Sequence, residues 1–126
     1  MFEVTVEQTF AAGHALREYK GKCENVHGHN YRVQITVEGE KLNRIGLLVD
    51  FVELKKAVRE VADRLDHQFI NDLEPFTVIN PSAENMAKYF YDEVSRRLDF
   101  QNSEAPSRVS QIKVWETDTS IAVYRP

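Results

Sequence analysis

The order of hydrophobic periodicities along the chain limits the folds that it can adopt. Residues 2–10 and residues 31–38 alternate apolar and polar side chains, which is the pattern of half-buried β-strands. Two later segments repeat apolar residues every three or four positions, as amphipathic helices do. Residues 109–116 and 120–124 again have the character of strands. The sequence therefore predicts the order β-β-α-α-β-β.

Each predicted helix has a start signal. Asp50 is a good N-cap for the first helix, and Glu53 three residues later can complete a capping box. The expected apolar stripe of this helix is Phe51, Leu54, Val58, Val61 and Leu65. The second helix covers about residues 82–98, and either Asn80 or Ser82 caps it.

Two helices that follow a hairpin should cover one face of an antiparallel four-stranded sheet, which is an α+β fold in a single domain over residues 1–126. The other face and both edges would stay uncovered, so we expect obligate self-association. The formal net charge of -4 leaves no dominant basic surface, which argues against nucleic acid as a partner. We expect no membrane segment, and one cysteine excludes an intrachain disulfide, which together suggest a cytosolic protein.

Three of the four histidines fall where the first hairpin would bring them together. His27 and His29 lead into a strand two residues apart, so the period of a strand places both on one sheet face. His14 ends the preceding strand, and antiparallel pairing of the two strands would bring it to the same end. Three neutral imidazoles leave one position open on a zinc ion, as catalytic zinc requires. Imidazole also suits iron, nickel and copper, so the metal stays open.

Cys23 precedes His27 in a polar loop beside Lys20 and Lys22, a setting that favours the thiolate. Its role is left open between a fourth metal ligand and a base that acts on a metal-bound substrate. A small buried side chain without chemistry is the third interpretation.

Two further sites carry ionisable side chains. Asp66 and His67 follow the first helix, either as a C-terminal cap or as a carboxylate-oriented histidine that relays protons. Glu116 follows Trp115 at the end of the third strand. It is either an exposed strand residue or an anchor that accepts two hydrogen bonds from an amino-pyrimidinone edge, such as that of a guanine-like ring or a pterin.

Taken together, these motifs resemble the 6-pyruvoyl-tetrahydropterin synthase family over nearly the whole chain, and most of all its 6-carboxytetrahydropterin synthase branch in bacterial queuosine biosynthesis. The motifs are Phe10-x-x-x-His14, Cys23-x-x-x-His27-Gly28-His29-Asn30-Tyr31, Leu65-Asp66-His67, Ser82-Ala83-Glu84-Asn85 and Val114-Trp115-Glu116-Thr117. The resemblance implies the tunnelling fold (T-fold), whose subunits form a barrel. The barrel is commonly a homohexamer, built as a dimer of trimers, with active sites between subunits.

The resemblance also implies roles for the residues. The implied zinc ligands are His14, His27 and His29. The implied catalytic residues are Cys23 as the base, Asp66 and His67 as a proton relay, and Glu116, which also anchors the pterin. The implied substrate contacts are Glu116, Thr117, Ser82 and Glu24.

The implied reaction is that of a zinc-dependent lyase, which converts 7,8-dihydroneopterin triphosphate to 6-carboxy-5,6,7,8-tetrahydropterin, acetaldehyde and triphosphate. The short spacing from Cys23 to His27 resembles this branch, whereas animal pyruvoyl synthases typically have a longer one. A 6-pyruvoyl product is one alternative. Glu24 beside Cys23 keeps open a bifunctional enzyme that also forms 6-hydroxymethyl-7,8-dihydropterin for folate synthesis. Candidates for binding the triphosphate are Arg17, Lys20 and Lys22.

Two other classes of function account for the histidines alone. A zinc-binding interaction module would close the site with four protein ligands, Cys23 being the fourth. A zinc hydrolase or hydratase would use a metal hydroxide and would need no cysteine base. Both leave the presence of Asp66, His67 and Glu116 unexplained.

Overall fold

A computed structural model describes the backbone of residues 1–126 and every side chain except that of Cys23. It contains a four-stranded antiparallel sheet in the order β1-β2-β3-β4, with two helices packed on one face. The elements are β1 (Phe2–His14), β2 (His27–Gly39), α1 (Phe51–Leu65), α2 (Ala83–Arg97), β3 (Arg108–Thr117) and β4 (Ser120–Tyr124), with short 3-10 turns at Lys22–Glu24 and Ile70–Asp72. The predicted order of elements and the fold class are confirmed.

The first two strands extend further than their apolar alternation indicated. β1 continues to His14 and β2 begins at His27, so the loop between them is shorter than the sequence suggested. The register pairs His14 with His27, Ala12 with His29, and Phe10 with Tyr31. Hydrophobic alternation misses these strand ends because their inward face is lined by histidines rather than by apolar core residues.

Both helices are capped by side chains. Asp50 accepts a hydrogen bond of 2.8 Å from an N–H of the first turn of α1, which confirms it as the N-cap. Ser82 accepts one of 3.1 Å from the Asn85 N–H and so caps α2. The alternative cap, Asn80, is wrong, because its side chain bonds the backbone of Arg17 instead.

The core lies between the helices and the inward face of the sheet. Its largest fully buried side chains include Tyr31, Ile35, Leu54, Met86 and Phe90. The predicted stripe of α1 is confirmed from Leu54 onward, but Phe51 is wrongly included. Phe51 is 49% exposed, because the buried face of α1 begins only at Leu54.

The opposite face of the sheet has no helix over it in the described structure. On this face the Arg32 guanidinium lies 3.9 Å from the centre of the Trp115 ring. β1 and β4 form the sheet edges, and Ile121 and Val123 of β4 are exposed. These surfaces agree with the expectation of self-association, which stays a prediction. Both helices of the described structure fall short of the length and apolarity that a membrane span needs.

Candidate metal centre

Three histidines and a glutamate meet at one end of the inward sheet face. His14 ends β1, His27 and His29 begin β2, and Glu116 lies near the end of β3. The nitrogen and oxygen atoms that these side chains can offer to a metal all lie within 4.8 Å of one another. The structure thus brings the three histidines together as the hairpin register predicted, and it adds Glu116 to the group.

Two backbone carbonyls set the tautomers of His14 and His27. The Nδ1 atom of His14 lies 2.7 Å from the Pro81 carbonyl oxygen, and that of His27 lies 2.7 Å from the Asn25 carbonyl oxygen. A carbonyl only accepts, so each Nδ1 carries the proton and each neutral ring keeps an unprotonated Nε2. Metal-binding histidines typically donate their other N–H in this way.

The unprotonated nitrogens converge on one point. The Nε2 atoms of His14 and His27 are 3.0 Å apart, and neither carries a proton to share with the other. In a tetrahedral site with Zn–N bonds of about 2.0–2.1 Å, two ligand nitrogens lie about 3.3 Å apart. The donor set therefore fits a cation bound between the rings.

His29 completes the set of nitrogens. Its Nε2 is buried and lies 2.9 Å from Oε1 of Glu116, but it makes no aligned hydrogen bond among the described residues. Burial lowers the pKa of His29; the charge of Glu116 opposes this shift, and His14 and His27 reinforce it. The lowered pKa favours the neutral imidazole, which is the form that binds metals.

Glu116 can serve the group in two ways. Its Oε1 lies 3.3 Å from Nε2 of His14 as well as 2.9 Å from that of His29. As a fourth ligand it would close a tetrahedral site, whereas as a neighbour of three histidine ligands it would leave one position for a substrate or water. The side chain is only partly buried and so can reach a molecule in the site.

Asp66 and His67 form the expected pair, but outside the metal group. The carboxylate accepts a hydrogen bond of 2.9 Å from the Ala11 N–H of edge strand β1, and its other oxygen lies 2.9 Å from Nδ1 of His67. These contacts lower the pKa of Asp66, the Ala11 hydrogen bond most. His67 has a left-handed backbone (φ 58), and its N–H donates to the Ala11 carbonyl.

The His67 ring is exposed and shares an open cleft of about 410 Å³ with His29, Gly13 and Gly28. A larger cleft of about 530 Å³ lies at the opposite end of the sheet, near Met1. We place the site at the four converging donor side chains, of which His29 also lines the smaller cleft.

The remaining predicted site residues are Cys23, Glu24, Ser82 and Thr117. The Cys23 side chain lies outside the described residues. Glu24 is exposed. The Ser82 hydroxyl caps α2, and Thr117 accepts a hydrogen bond of 3.3 Å from the Thr119 N–H in the β3–β4 turn.

Two asparagines that support the chain beyond His14 were not predicted. Asn71 accepts from the N–H of Ala15 and donates to its carbonyl, at 3.0 and 2.8 Å. Asn80 does the same for Arg17, at 2.8 and 3.0 Å. We call Asn71 and Asn80 the asparagine clasp. The only feature of the sequence that pointed to the clasp was the position of Asn80 before a predicted helix, and that position also fitted a helix cap.

Arg17 was a candidate for binding a triphosphate, but its guanidinium is otherwise engaged. It donates to the carbonyls of Phe76, Ile79 and Asn71, at 2.7, 3.2 and 3.4 Å. In this arrangement the side chain joins the segment between the helices to the chain after β1. Lys20 and Lys22 are exposed.

The fold and the site together define a T-fold protein with a candidate metal centre built from three histidines and a glutamate. Residues 3–126 match the model of the family described as 6-pyruvoyl tetrahydropterin synthase, and the chain belongs to that family.

Two curated relatives show the range of names within the family. The 6-carboxy-5,6,7,8-tetrahydropterin synthase of Bacillus subtilis is 42% identical, over 99% of this chain and 86% of its own length. The 6-pyruvoyl tetrahydrobiopterin synthase of Drosophila melanogaster is 35% identical, over 97% and 78%. Among solved structures, the 6-pyruvoyl tetrahydropterin synthase of Caenorhabditis elegans superposes with a TM-score of 0.82 at 28% identity, covering 100% of this chain and 97% of its own.

Proposed function

We propose that this chain is a zinc-dependent lyase that converts 7,8-dihydroneopterin triphosphate to 6-carboxy-5,6,7,8-tetrahydropterin, acetaldehyde and triphosphate in queuosine biosynthesis. Membership of the family supports a reduced pterin as substrate. The similarity to the Bacillus subtilis enzyme supports the carboxylated product. A single cysteine suits a reducing compartment, which supports a cytoplasmic enzyme.

The observation that carries the metal part of the proposal is the convergence of three imidazoles on one point, two of them with Nδ1 protons directed at carbonyls. A zinc ion held by His14, His27 and His29 would supply Lewis-acid polarisation of the substrate side-chain hydroxyls. His14 is almost fully buried, so its ring is held in place by the surrounding core.

The other residues act around that centre. Cys23 removes a carbon-bound proton beside the pterin ring, which requires the thiolate. The partly exposed Glu116 accepts hydrogen bonds from the amino-pyrimidinone edge, helped by contacts from Thr117 and Ser82.

Asp66 and His67 relay protons in this proposal. The His67 ring is 81% exposed at the edge of the open cleft, and Asp66 orients it through Nδ1. Such exposure supports a relay that operates between subunits, in line with the interface active sites that the sequence resemblance implies. A homohexamer is the assembly we propose.

Two other products have specific support. The similarity to the Drosophila melanogaster enzyme favours a 6-pyruvoyl product as the alternative. Glu24 is exposed directly after Cys23, which places a carboxylate beside the proposed cysteine base and favours additional 6-hydroxymethyl-7,8-dihydropterin.

The test is to incubate zinc-loaded protein with 7,8-dihydroneopterin triphosphate and to identify the products by mass spectrometry. We expect 6-carboxy-5,6,7,8-tetrahydropterin with stoichiometric acetaldehyde, and no turnover after the metal is stripped by a chelator. A 6-pyruvoyl product would replace the proposed reaction by its alternative. A folded, zinc-bound protein that leaves the substrate unchanged would refute the proposal.

A further inference from the structure

Tyr31 is a fully buried residue whose hydroxyl the core does not explain. Its ring stacks on Phe10 with centroids 5.0 Å apart, and it meets His14 and His29 edge-on at 5.8 and 5.4 Å. Among the described residues, the hydroxyl has no hydrogen-bond partner. Burying an unpaired hydroxyl is unfavourable, and a phenylalanine would fill the same space without that loss. We therefore expect a hydrogen-bond acceptor for this hydroxyl at the candidate metal centre.

The sheet register places Glu116 next to Tyr31. Arg32 pairs with Trp115 across β2 and β3, so Tyr31 and Glu116 follow as the next neighbours of the antiparallel ladder. Both side chains lie on the inward face, where neighbours across two strands come within contact distance. The register thus makes the buried phenol of Tyr31 a neighbour of Glu116 on the inward face.

Binding of a metal would change what Glu116 can contact. Its Oε1 lies 2.9 Å from Nε2 of His29 and 3.3 Å from that of His14. Nε2 of His14 already lacks a proton, because Nδ1 donates to the Pro81 carbonyl. A metal bound at Nε2 of His29 would leave that nitrogen without a proton as well, so neither ring could then donate a hydrogen bond to the carboxylate. A phenol proton, by contrast, turns freely toward an acceptor.

We propose that Tyr31 is a positioning residue of the metal centre, whose hydroxyl donates a hydrogen bond to the Glu116 carboxylate when the histidines hold a metal ion. The inference rests on the proposed metal site and deepens it by naming the group that holds Glu116. A hydrogen bond from the phenol would fix the orientation of this carboxylate beside the three histidines that would hold the ion.

The test compares the wild-type protein with Tyr31→Phe, which removes only the hydroxyl. Zinc affinity is measured by competition with a chromophoric chelator, and stability by urea unfolding with and without zinc. We expect Tyr31→Phe to weaken zinc binding about tenfold, the lower end of effects seen for groups that support metal ligands. Without zinc, its urea midpoint should equal or exceed that of the wild type, because an unpaired buried hydroxyl is gone. With excess zinc, its midpoint should fall below the wild type.

Tyr89→Phe is the matched control. Tyr89 is also buried, but its hydroxyl accepts a hydrogen bond of 2.8 Å from Arg64, away from the metal group. This variant should lose similar stability with and without zinc and keep wild-type zinc affinity. The partner is tested by adding Tyr31→Phe to Glu116→Ala, where we expect no further loss of affinity.

Equal zinc affinity of Tyr31→Phe and the wild type would overturn the inference. The inference would also be overturned if Tyr31→Phe reduced zinc affinity as much in the Glu116→Ala protein as in the wild type. Unfolding of Tyr31→Phe in the absence of zinc would overturn it too. A wild-type protein that binds no zinc would overturn the metal site itself, which is a separate result from failure of the Tyr31 assignment.

Discussion

At the scale of the residue, two histidines owe their orientation to carbonyls of different origin. His27 donates to Asn25, two residues back in the chain, so its tautomer is set by a local turn. His14 donates to Pro81, 67 residues further along, so its tautomer depends on the completed fold. An unfolding event that releases the segment before α2 would therefore free His14 while leaving the bond of His27 in place.

A first prediction at this scale separates the two roles left open for Cys23. If Cys23 is the base, Cys23→Ala should lower kcat by about 10²–10⁴-fold and leave zinc affinity unchanged. If Cys23 is instead a fourth zinc ligand, Cys23→Ala should cause the protein to release zinc. Product formation by mass spectrometry and zinc content by chelator competition decide between these outcomes. Glu24→Ala is the neighbouring control: unchanged products would exclude a bifunctional role for Glu24.

A second prediction concerns the pH dependence of stability through Asp66. Its pKa is lowered in the folded chain, mainly by the Ala11 N–H, so the ionised carboxylate adds stability above its unfolded pKa of about 3.9. That contribution is lost as the pH falls through the lower folded pKa. Asp66→Asn keeps an oxygen for the Ala11 N–H but cannot titrate.

Urea midpoints between pH 6 and pH 2.5 provide the measurement. The urea midpoint of the wild type should exceed that of Asp66→Asn at pH 6, and this difference should shrink as the pH falls. Parallel curves for the two proteins would show that Asp66 does not contribute in this way.

At the scale of the element, the asparagine clasp joins the segment between the helices to the chain that leaves β1. Each amide side chain bonds both the N–H and the carbonyl of one residue, as a neighbouring strand would. The clasp lets an irregular segment stay paired beside the metal group. It also brings the Pro81 carbonyl to His14.

Loss of half of the clasp should weaken both the fold and the metal site. Asn71 is buried, so Asn71→Ala leaves the Ala15 N–H and carbonyl without partners, at a cost of about 1–3 kcal/mol in the free energy of unfolding. Zinc affinity should fall as well, because Ala15 directly follows the proposed ligand His14 and Asn71 holds the backbone of Ala15 in place. Asn102→Ala is the control, since Asn102 is exposed and bonds only Asp99 nearby. Equal urea midpoints for the two variants would contradict the prediction.

At the scale of the whole molecule, the sheet has one uncovered face and two edges. Ile121 and Val123 of edge strand β4 are 51% and 43% exposed, and they alternate with the buried Ala122. Apolar side chains on an open edge favour association with another copy. The open cleft that His29 and His67 line fits a site that another subunit completes.

The exposed edge predicts self-association, and the family resemblance implies a dimer of trimers, so we predict that the wild-type protein sediments as a homohexamer. Ile121→Lys together with Val123→Lys should shift it to smaller species while each chain stays folded, because both side chains face outward. Ile45→Lys changes a 70% exposed residue outside the sheet and should leave the sedimentation coefficient unchanged. Analytical ultracentrifugation with circular dichroism gives both readouts. A monomeric wild type would refute the prediction.

The sequence by itself determined the features that depend on local periodicity and on chain-neighbour pairing. Alternation and helical stripes predicted the order of elements, and a single hairpin register brought His14 to His27 and His29. Asp50 and the Ser82 alternative followed from helix-cap chemistry, which acts within one turn. Such features are readable because the interacting residues lie close in the chain or in one simple repeat.

Only the tertiary structure decided the surroundings of the histidines. It placed Glu116 against His29, turned Pro81 toward His14 and used Asn80 in a clasp rather than as a cap. It also showed that the buried Tyr31 hydroxyl lacks a partner among the described residues. These contacts join segments that are distant in sequence. The packing of the helices on the sheet determines which residues meet, and hydrophobic periodicity along the chain does not predict that packing.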